Sequence, residues 1–134
     1  MSDLEDMNDE PQPVGELALQ TLAMPKDTNA NGDIFGGWLI SQMDLAAGIA
    51  MKRISRGRSA TVAIEKVNFL YPVSVGATVT CYAEVQKIGR SSAHINIEVW
   101  VFNIGAEDKL HKVADGLFIY VAIDDNGKTR RIPR

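Results

Sequence analysis

The sequence predicts an α+β fold in which one antiparallel sheet wraps around a single buried helix. One segment, residues 38–54, is rich in helix-forming residues and apolar on nearly every side. Four later segments are strand-like, and two of them alternate apolar and polar side chains. The links between these segments are short, and short links favour antiparallel neighbours.

The first element is a strand over residues 16–24, which ends at the dipeptide Met24-Pro25 because proline cannot donate to a sheet ladder. A polar, glycine-bearing segment, KDTNANGDIFGG, follows over residues 26–37. A loop of this length inside a compact domain is usually either functional or disordered. The loop therefore becomes one of the regions in which site residues are sought.

The helix is expected over residues 38–54. A helix that is apolar on all sides is buried on all sides, so it needs cover from more than one direction. A curved sheet supplies most of that cover. From residue 38 to residue 51 the helix has only three polar side chains, Ser41, Gln42 and Asp44.

Four more strands are predicted over residues 60–71, 77–87, 92–104 and 113–123. The links over residues 72–76 and 89–91, and a hairpin around residues 105–109, predict that these four strands form an antiparallel meander. Alternation places two apolar sets on one face, Val79, Cys81, Ala83 and Val85 in one strand and Ile95, Ile97, Val99 and Val101 in the next.

The other strand face also carries large side chains that need burial, which indicates packing against a second chain. With the buried helix and the antiparallel strands, this is the outline of a hot-dog fold whose dimer shares one continuous sheet. These side chains are Trp100, Phe102, Phe118 and Tyr120.

Length and composition limit the class of protein. A chain of 134 residues fits one domain, which we expect over residues 15–134 after an acidic, disordered leader over residues 1–14. A net charge of −3 argues against sequence-independent nucleic-acid binding, which needs a cationic face.

The single cysteine, Cys81, forms no internal disulfide, and no Cys/His cluster has the spacing of a metal site. With no secretory signal and no apolar run long enough to span a membrane, the expected location is cytoplasmic.

Asp44 is the strongest candidate site residue. A carboxylate in the middle of an apolar helix is costly unless it is paired or functional. Its structural alternative is a satisfied carboxylate, bonded to Thr61 or to a backbone amide. The residue pattern leaves both interpretations open.

The dipeptide Gly36-Gly37 at the start of the helix is the second candidate. A helix N-terminus presents free N–H groups that can polarise a carbonyl, and glycine lets a ligand come close to the backbone. A plain loop-to-helix turn is the alternative. In the preceding loop Asn29 could orient water or a carbonyl, although it, Asn31 and Asp33 are all ordinary turn residues.

Helix geometry separates these candidates. Asp44 follows Gly36 by eight residues, which is about 12 Å along the helix axis. One substrate carbonyl cannot touch both groups of a single helix at hydrogen-bond distance. If both groups act, they come from two different subunits, which predicts a site at a subunit interface.

A tight turn, Arg90-Ser91-Ser92, combines a guanidinium, two hydroxyls and turn amides, which can hold a phosphate. An ordinary solvated hairpin is the alternative. Three arginines near the end of the sequence either meet an anionic ligand or are solvated charge. They are Arg130, Arg131 and Arg134.

The run LAMPKDTNANGDIFGGWLISQMD, residues 22–44, closely resembles the YciA-like acyl-CoA thioesterases. The resemblance continues through Thr61-Val62-Ala63, the PVSVG of residues 72–76, GRSS of residues 89–92 and residues 118–124. It implies a hot-dog fold with active sites at a dimer interface, and dimers that assemble into hexamers. It also implies hydrolysis of acyl-CoA to free acid and CoA without a metal, with CoA as part of the substrate rather than a cofactor.

The resemblance assigns roles residue by residue. Asp44 is the helix acid, acting as general base or as nucleophile, and Asn29 is a catalytic asparagine supplied by the partner subunit. The resemblance assigns the active-site backbone amides near the helix start to Gly36 and Gly37. It assigns the contacts to the CoA phosphates to Arg90, Ser91 and Ser92. Where some relatives have His and Glu, this sequence has Phe35 and Asp44, which removes one polar contact but keeps the carboxylate.

Two other functions are compatible with the same fold. A hot-dog domain can bind acyl-CoA as a sensor without turning it over. A hydratase or dehydratase pairs a histidine with an acid, but His94 and His111 lie on late strands outside any such motif.

Overall fold

A computed structural model of the protein describes residues 11–102 and 109–134. Every predicted element is present, and the largest difference at an end is that the last strand begins three residues earlier than predicted. Most of the predicted leader (residues 1–10) and of the predicted hairpin (residues 105–108) lies outside the described residues, so the domain boundary at residue 15 stays a prediction. The elements are β1 (Glu16–Leu22), α1 (Gly36–Ser55), β2 (Ser59–Phe69), β3 (Thr78–Ile88), β4 (Ser92–Phe102) and β5 (Leu110–Ala122).

The five strands form one antiparallel sheet in the order β1-β3-β4-β5-β2, and α1 packs against one of its faces. This is the hot-dog architecture that the sequence predicts. The meander is correct for β3, β4 and β5 but wrong for β2, which pairs with β5 at the sheet edge and has no pairing with β3.

The link between β2 and β3 explains this difference. Its eight residues, 70–77, span up to about 26 Å when extended, whereas three strand spacings cover only about 14 Å. The link is therefore long enough to cross the end of the sheet. It is anchored on the way by a hydrogen bond from the Ile34 N–H to the Val73 carbonyl at 2.8 Å.

The core lies between α1 and the inner face of the sheet. The apolar sets predicted for β3 and β4 are buried there, except for Val85 near the end of β3, which is exposed. Helix α1 contributes side chains along its buried side, and the last described residues add one more from the C-terminal segment. These contributors are Leu39, Met43, Ala46, Ala47, Met51 and Ile132.

The expected face of two aromatic residues is wrong. Tyr120 pairs with Ala93 and Phe118 pairs with Ile95, and residues opposite each other in neighbouring strands share a face. Both aromatic side chains therefore point at α1, and their burial needs no second chain. On the outer face Trp100 is only 3% exposed, and its indole N–H donates to Glu98 Oε1 at 2.9 Å.

The C-terminal end of α1 is held by an arginine. The guanidinium of Arg130 donates to the carbonyls of Ser55 at 3.0 Å, Arg58 at 3.1 Å and Ile123 at 2.8 Å. Carbonyls at a helix end lack partners within the helix, so these contacts stabilise the end of α1. Within the described ranges, no helix is long and apolar enough to cross a membrane.

Helix α1 is not covered on all sides within one chain. Leu45 is 57% exposed and Ile49 is 37% exposed. The neighbouring edge strand β2 also exposes Val62 and Ile64. The apolar helix therefore keeps one open side, next to the free edge of the sheet.

Candidate active site

Asp44 lies half-buried on α1, where two hydroxyl groups meet one of its carboxylate oxygens. Thr61 Oγ1 donates to Oδ1 at 2.8 Å, and the Tyr120 hydroxyl lies 2.5 Å from Oδ1 and 2.7 Å from the Asp44 carbonyl oxygen. No hydrogen bond from another described residue reaches Oδ2. The Thr61 contact named as the structural alternative is thus present, but it satisfies only one oxygen and leaves the other able to react.

Tyr120 is the site residue that sequence reasoning missed. Its side chain is only 5% exposed, and a buried tyrosine usually places its hydroxyl on a partner. Burial raises the pKa of the Tyr120 phenol well above its ordinary value, and the hydrogen bond to Asp44 raises it further. The phenol therefore stays protonated at neutral pH and acts as a donor.

Asn29 lies in the loop before α1 and is fixed by its own backbone neighbours. Its Oδ1 accepts hydrogen bonds from the N–H of Asn31 at 2.9 Å and of Asp33 at 3.2 Å, and its N–H donates to the Asp33 carbonyl at 2.7 Å. Gly32, with φ +85°, provides the left-handed turn in this loop. Because Oδ1 is occupied, the Nδ2 group is the part of this side chain left to donate to a ligand.

The start of α1 lies beside Asn29. Both Asn29 and Gly36 line a cavity of about 330 Å³, with Leu39, Phe69 and Tyr71 among its walls. A Cβ added at Gly36 would lie 3.2 Å from Phe69 Cζ, so glycine permits the close approach of this ring. The N–H groups of Gly36 and Gly37, in the first turn of α1, have no acceptor among the residues described.

The structure does not bring these groups to Asp44 within one chain. Gly36 contacts Phe69 at one end of β2, whereas Asp44 bonds Thr61 near the other end. Both lie in the same α-helix, so about 12 Å of helix axis separates them. A single chain therefore presents two separate groups of candidate residues, which we call half-sites.

The turn between β3 and β4 packs against the C-terminal segment. The N–H of Ile132 donates to the Arg90 carbonyl at 2.8 Å, and Arg134 Nη2 donates to the Gly89 carbonyl at 2.8 Å. Arg90 and Arg134 are both exposed, while Ser91 and Ser92 are half-buried. Arg134 thus adds a cation beside the predicted phosphate turn.

Among the described residues, the remaining nucleophilic and metal-ligating groups form no second site. Burial raises the pKa of the Cys81 thiol to about 12, so it carries no thiolate at neutral pH. The His111 ring packs edge-on against Tyr71 with centroids 5.9 Å apart. In the described part of the chain, no three His, Cys, Asp or Glu side chains are grouped so that they could hold a metal ion.

Comparison with known proteins shows the family to which the chain belongs. Residues 31–105 match the model of the Thioesterase superfamily. The acyl-CoA thioester hydrolase YciA of Salmonella typhimurium is 55% identical over 123 residues, which cover 90% of this chain and 92% of that protein. The chain belongs to the YciA-like acyl-CoA thioesterase family.

Solved structures with similar sequences have the same fold as this chain. HI0827, described as a hexameric broad specificity acyl-coenzyme A thioesterase, is 52% identical with a TM-score of 0.87, covering 92% of this chain and 85% of that one. Cj0915 of Campylobacter jejuni, a hexameric hotdog fold thioesterase, is 36% identical with a TM-score of 0.85, covering 91% and 93%. The family and the fold predicted from the sequence are both confirmed.

Proposed function

We propose that this protein is an acyl-CoA thioesterase, which hydrolyses acyl-CoA to a free carboxylic acid and CoA. The observation that carries the proposal is Asp44, whose Oδ1 is held by Thr61 and Tyr120 while Oδ2 has no partner in the described chain. A carboxylate with one fixed and one free oxygen can take a proton from water or attack a carbonyl. Membership of the YciA-like family supports thioesters of CoA as the substrate.

The proposed site combines two subunits. The N–H groups of Gly36 and Gly37 hold the thioester carbonyl oxygen and stabilise the oxyanion that develops on it. Nδ2 of Asn29, in the same half-site, orients the carbonyl or the attacking water. The partner subunit provides the carboxylate that corresponds to Asp44, because the two half-sites of one chain lie about 12 Å apart along α1.

Two routes through the carboxylate remain open. As general base, Oδ2 removes a proton from water as the water attacks the carbonyl, the C–S bond then breaks, and the CoA thiolate takes up a proton. As nucleophile, Oδ2 attacks the carbonyl itself, the C–S bond breaks and releases the CoA thiolate, which takes a proton from solvent, and water then hydrolyses the mixed anhydride. A single turnover in ¹⁸O-water separates these routes, since only the anhydride route can leave ¹⁸O in Asp44.

The assembly proposed for this site is a dimer with a continuous sheet. Exposed apolar side chains include Leu45 and Ile49 of α1 and Val62 and Ile64 of the edge strand β2, and α1 contacts β2. Pairing β2 with β2 of a second copy would satisfy that edge and cover these side chains. Because HI0827 and Cj0915 are described as hexameric, we propose that the dimers assemble further into a hexamer.

The phosphates of CoA are assigned to the turn between β3 and β4. Arg90 supplies a guanidinium, Ser91 and Ser92 supply hydroxyls, and Arg134 is held beside them by its bond to Gly89. The proposed reaction needs no metal and no cofactor beyond the CoA of the substrate. We place the enzyme in the cytoplasm, where it would act on the acyl-CoA esters of fatty-acid metabolism.

The test is thiol release from acyl-CoA esters ranging from acetyl to palmitoyl, with the free acid identified by mass spectrometry. We expect free acid and CoA in equal amounts from at least part of the series. Recovery of intact acyl-CoA bound to the protein across the whole series would contradict the proposal and favour the sensor.

A further inference from the structure

We propose that Tyr120 is a positioning residue, which with Thr61 fixes Oδ1 of Asp44 and so makes Oδ2 the reacting oxygen. The inference rests on the proposed function, because it specifies how the helix carboxylate of that reaction is held. Neither hydroxyl is proposed to touch the substrate. Both act through Asp44.

The two hydroxyls come from one cross-strand pair. Thr61 of β2 lies directly opposite Tyr120 of β5 in the sheet register, and opposite residues share a face. The register shifts immediately afterwards, between Thr61 and Ala63. Such irregularities re-aim side chains and are common beside active sites, so the pair is directed at α1 by the sheet itself.

The contacts determine the orientation of the carboxylate. A carboxylate can rotate about its Cβ–Cγ bond, and each rotamer presents its oxygens differently. Thr61 Oγ1 at 2.8 Å and the Tyr120 hydroxyl at 2.5 Å both meet Oδ1, so rotation would break two hydrogen bonds at once. Because both hydroxyls bind Oδ1, Oδ2 is the oxygen that is available to water or to the thioester.

Tyr120 is itself held firmly in place. Its hydroxyl lies 2.7 Å from the carbonyl oxygen of Asp44, and its ring is buried in the core. Gly48 lies one turn after Asp44 in α1, and a Cβ added there would be in ordinary contact with the Tyr120 hydroxyl, at 3.5 Å. The phenol therefore sits against the backbone of α1.

The first test is Tyr120→Phe, which removes the hydroxyl and keeps the ring. Loss of one hydrogen bond to a charged group predicts a fall in kcat of about 10–100-fold. The KM for acyl-CoA should stay unchanged, because the interaction is made with Asp44 and not with substrate. Tyr82→Phe, a tyrosine of β3 away from Asp44, is the matched control and should keep the wild-type kcat.

The second test uses Thr61 and does not depend on the folding of a Tyr120 variant. Thr61→Val removes the hydroxyl while keeping the shape, and Thr61→Ser restores it. We expect kcat to fall in the valine variant and to recover in the serine variant, with KM unchanged in both. A structural role alone would not give recovery of kcat at constant KM.

The outcomes separate this inference from the proposed function. If the wild type releases no thiol from any acyl-CoA, the proposed function fails. If the wild type is active and Tyr120→Phe keeps its full kcat, or loses activity only through a higher KM, the role of Tyr120 is refuted while the thioesterase stands. Equal kcat values for Thr61→Val and Thr61→Ser would refute the role of Thr61 in the same way.

Discussion

Mixing two inactive variants tests whether the active site is shared between subunits. Asp44→Asn keeps an oxygen that can accept the bonds from Thr61 and Tyr120 but removes the basic carboxylate. Asn29→Asp keeps Oδ1, which accepts the N–H groups of Asn31 and Asp33, but removes the Nδ2 donor. Each variant therefore preserves its local structure and disables one half-site.

Subunit statistics give the expected size of the effect. In one chain the half-sites are about 12 Å apart along α1, so each complete site needs Asn29 of one subunit and the carboxylate of its partner. When the two variants are co-expressed in equal amounts and pair at random, about a quarter of the sites receive both intact groups. Each variant alone has none.

The assay is thiol release from a fixed acyl-CoA by the co-purified mixture, relative to the wild type. We expect about one quarter of the wild-type rate for the mixture. The matched control is the wild type co-expressed with the double variant Asn29→Asp/Asp44→Asn. A shared site again gives about a quarter there, whereas a site within one chain gives about a half. A mixture of the two single variants that stays inactive would refute the shared site.

Three further predictions follow from other parts of the structure. Arg134→Ala should raise KM for acyl-CoA about 2–5-fold with kcat unchanged. The same variant should hydrolyse an acyl-pantetheine, which has no nucleotide phosphates, with wild-type kinetics. An equal effect on both substrates would show that Arg134 does not contact the phosphates. Leu45→Asp should shift the protein toward monomers, because burying a charge on the open side of α1 against a second copy is costly. Light scattering measures the mass, and an unchanged mass would contradict the dimer. Burial keeps the pKa of the Cys81 thiol near 12 in the folded protein, against an ordinary value of 9.0, so the thiol ionises first in the unfolded state and stability falls as the pH rises above about 9. At pH 10 this loss is about 1 kcal/mol relative to pH 7, and urea unfolding of Cys81→Ala should lack it. An equal pH dependence in both proteins would contradict the buried thiol.

Much of the fold could be predicted because the alternation of apolar and polar residues, and the proline and glycine residues that end strands and helices, are local features of the sequence. The apolar sets of β3 and β4 identify the inner face correctly, since the polar residues between them leave only one face to bury. In β5 the run from Leu117 to Ala122 is apolar on both faces, so alternation gives no signal there. Only the pairing of Tyr120 with Ala93 in the folded sheet determines that Tyr120 points at α1.

The crossing of β2 was not predictable for a related reason. A link of eight residues can close a loose hairpin or span the end of a sheet, and the sequence does not distinguish these. Which strand β2 pairs with depends on tertiary contacts, such as the bond that anchors Val73 to Ile34.

In the candidate site, too, some residues can be predicted from the sequence and others only from the fold. The sequence predicts Asp44 as a site residue because a carboxylate inside an apolar helix is costly, and it predicts the glycine pair from its place at the start of that helix. Both stay predictions. The sequence offers Thr61 only as a structural alternative and predicts the wrong face for Tyr120. Residues that act through a neighbour in space carry no local signal, so the pair that holds Asp44 required the register of β2 and β5.

Replacement of the helix carboxylate tests the central claim most directly. HI0827 has also been solved as its Asp44Ala mutant enzyme, so a change of this kind is compatible with the fold in that relative. The measurement here is kcat for thiol release by Asp44→Asn, with Asp125→Asn, an exposed carboxylate in the turn after β5, as the matched control. We predict that Asp44→Asn lowers kcat by about 10²–10⁴-fold at unchanged thermal stability while Asp125→Asn keeps the wild-type rate. An Asp44→Asn variant that hydrolyses acyl-CoA at the wild-type rate would contradict the account.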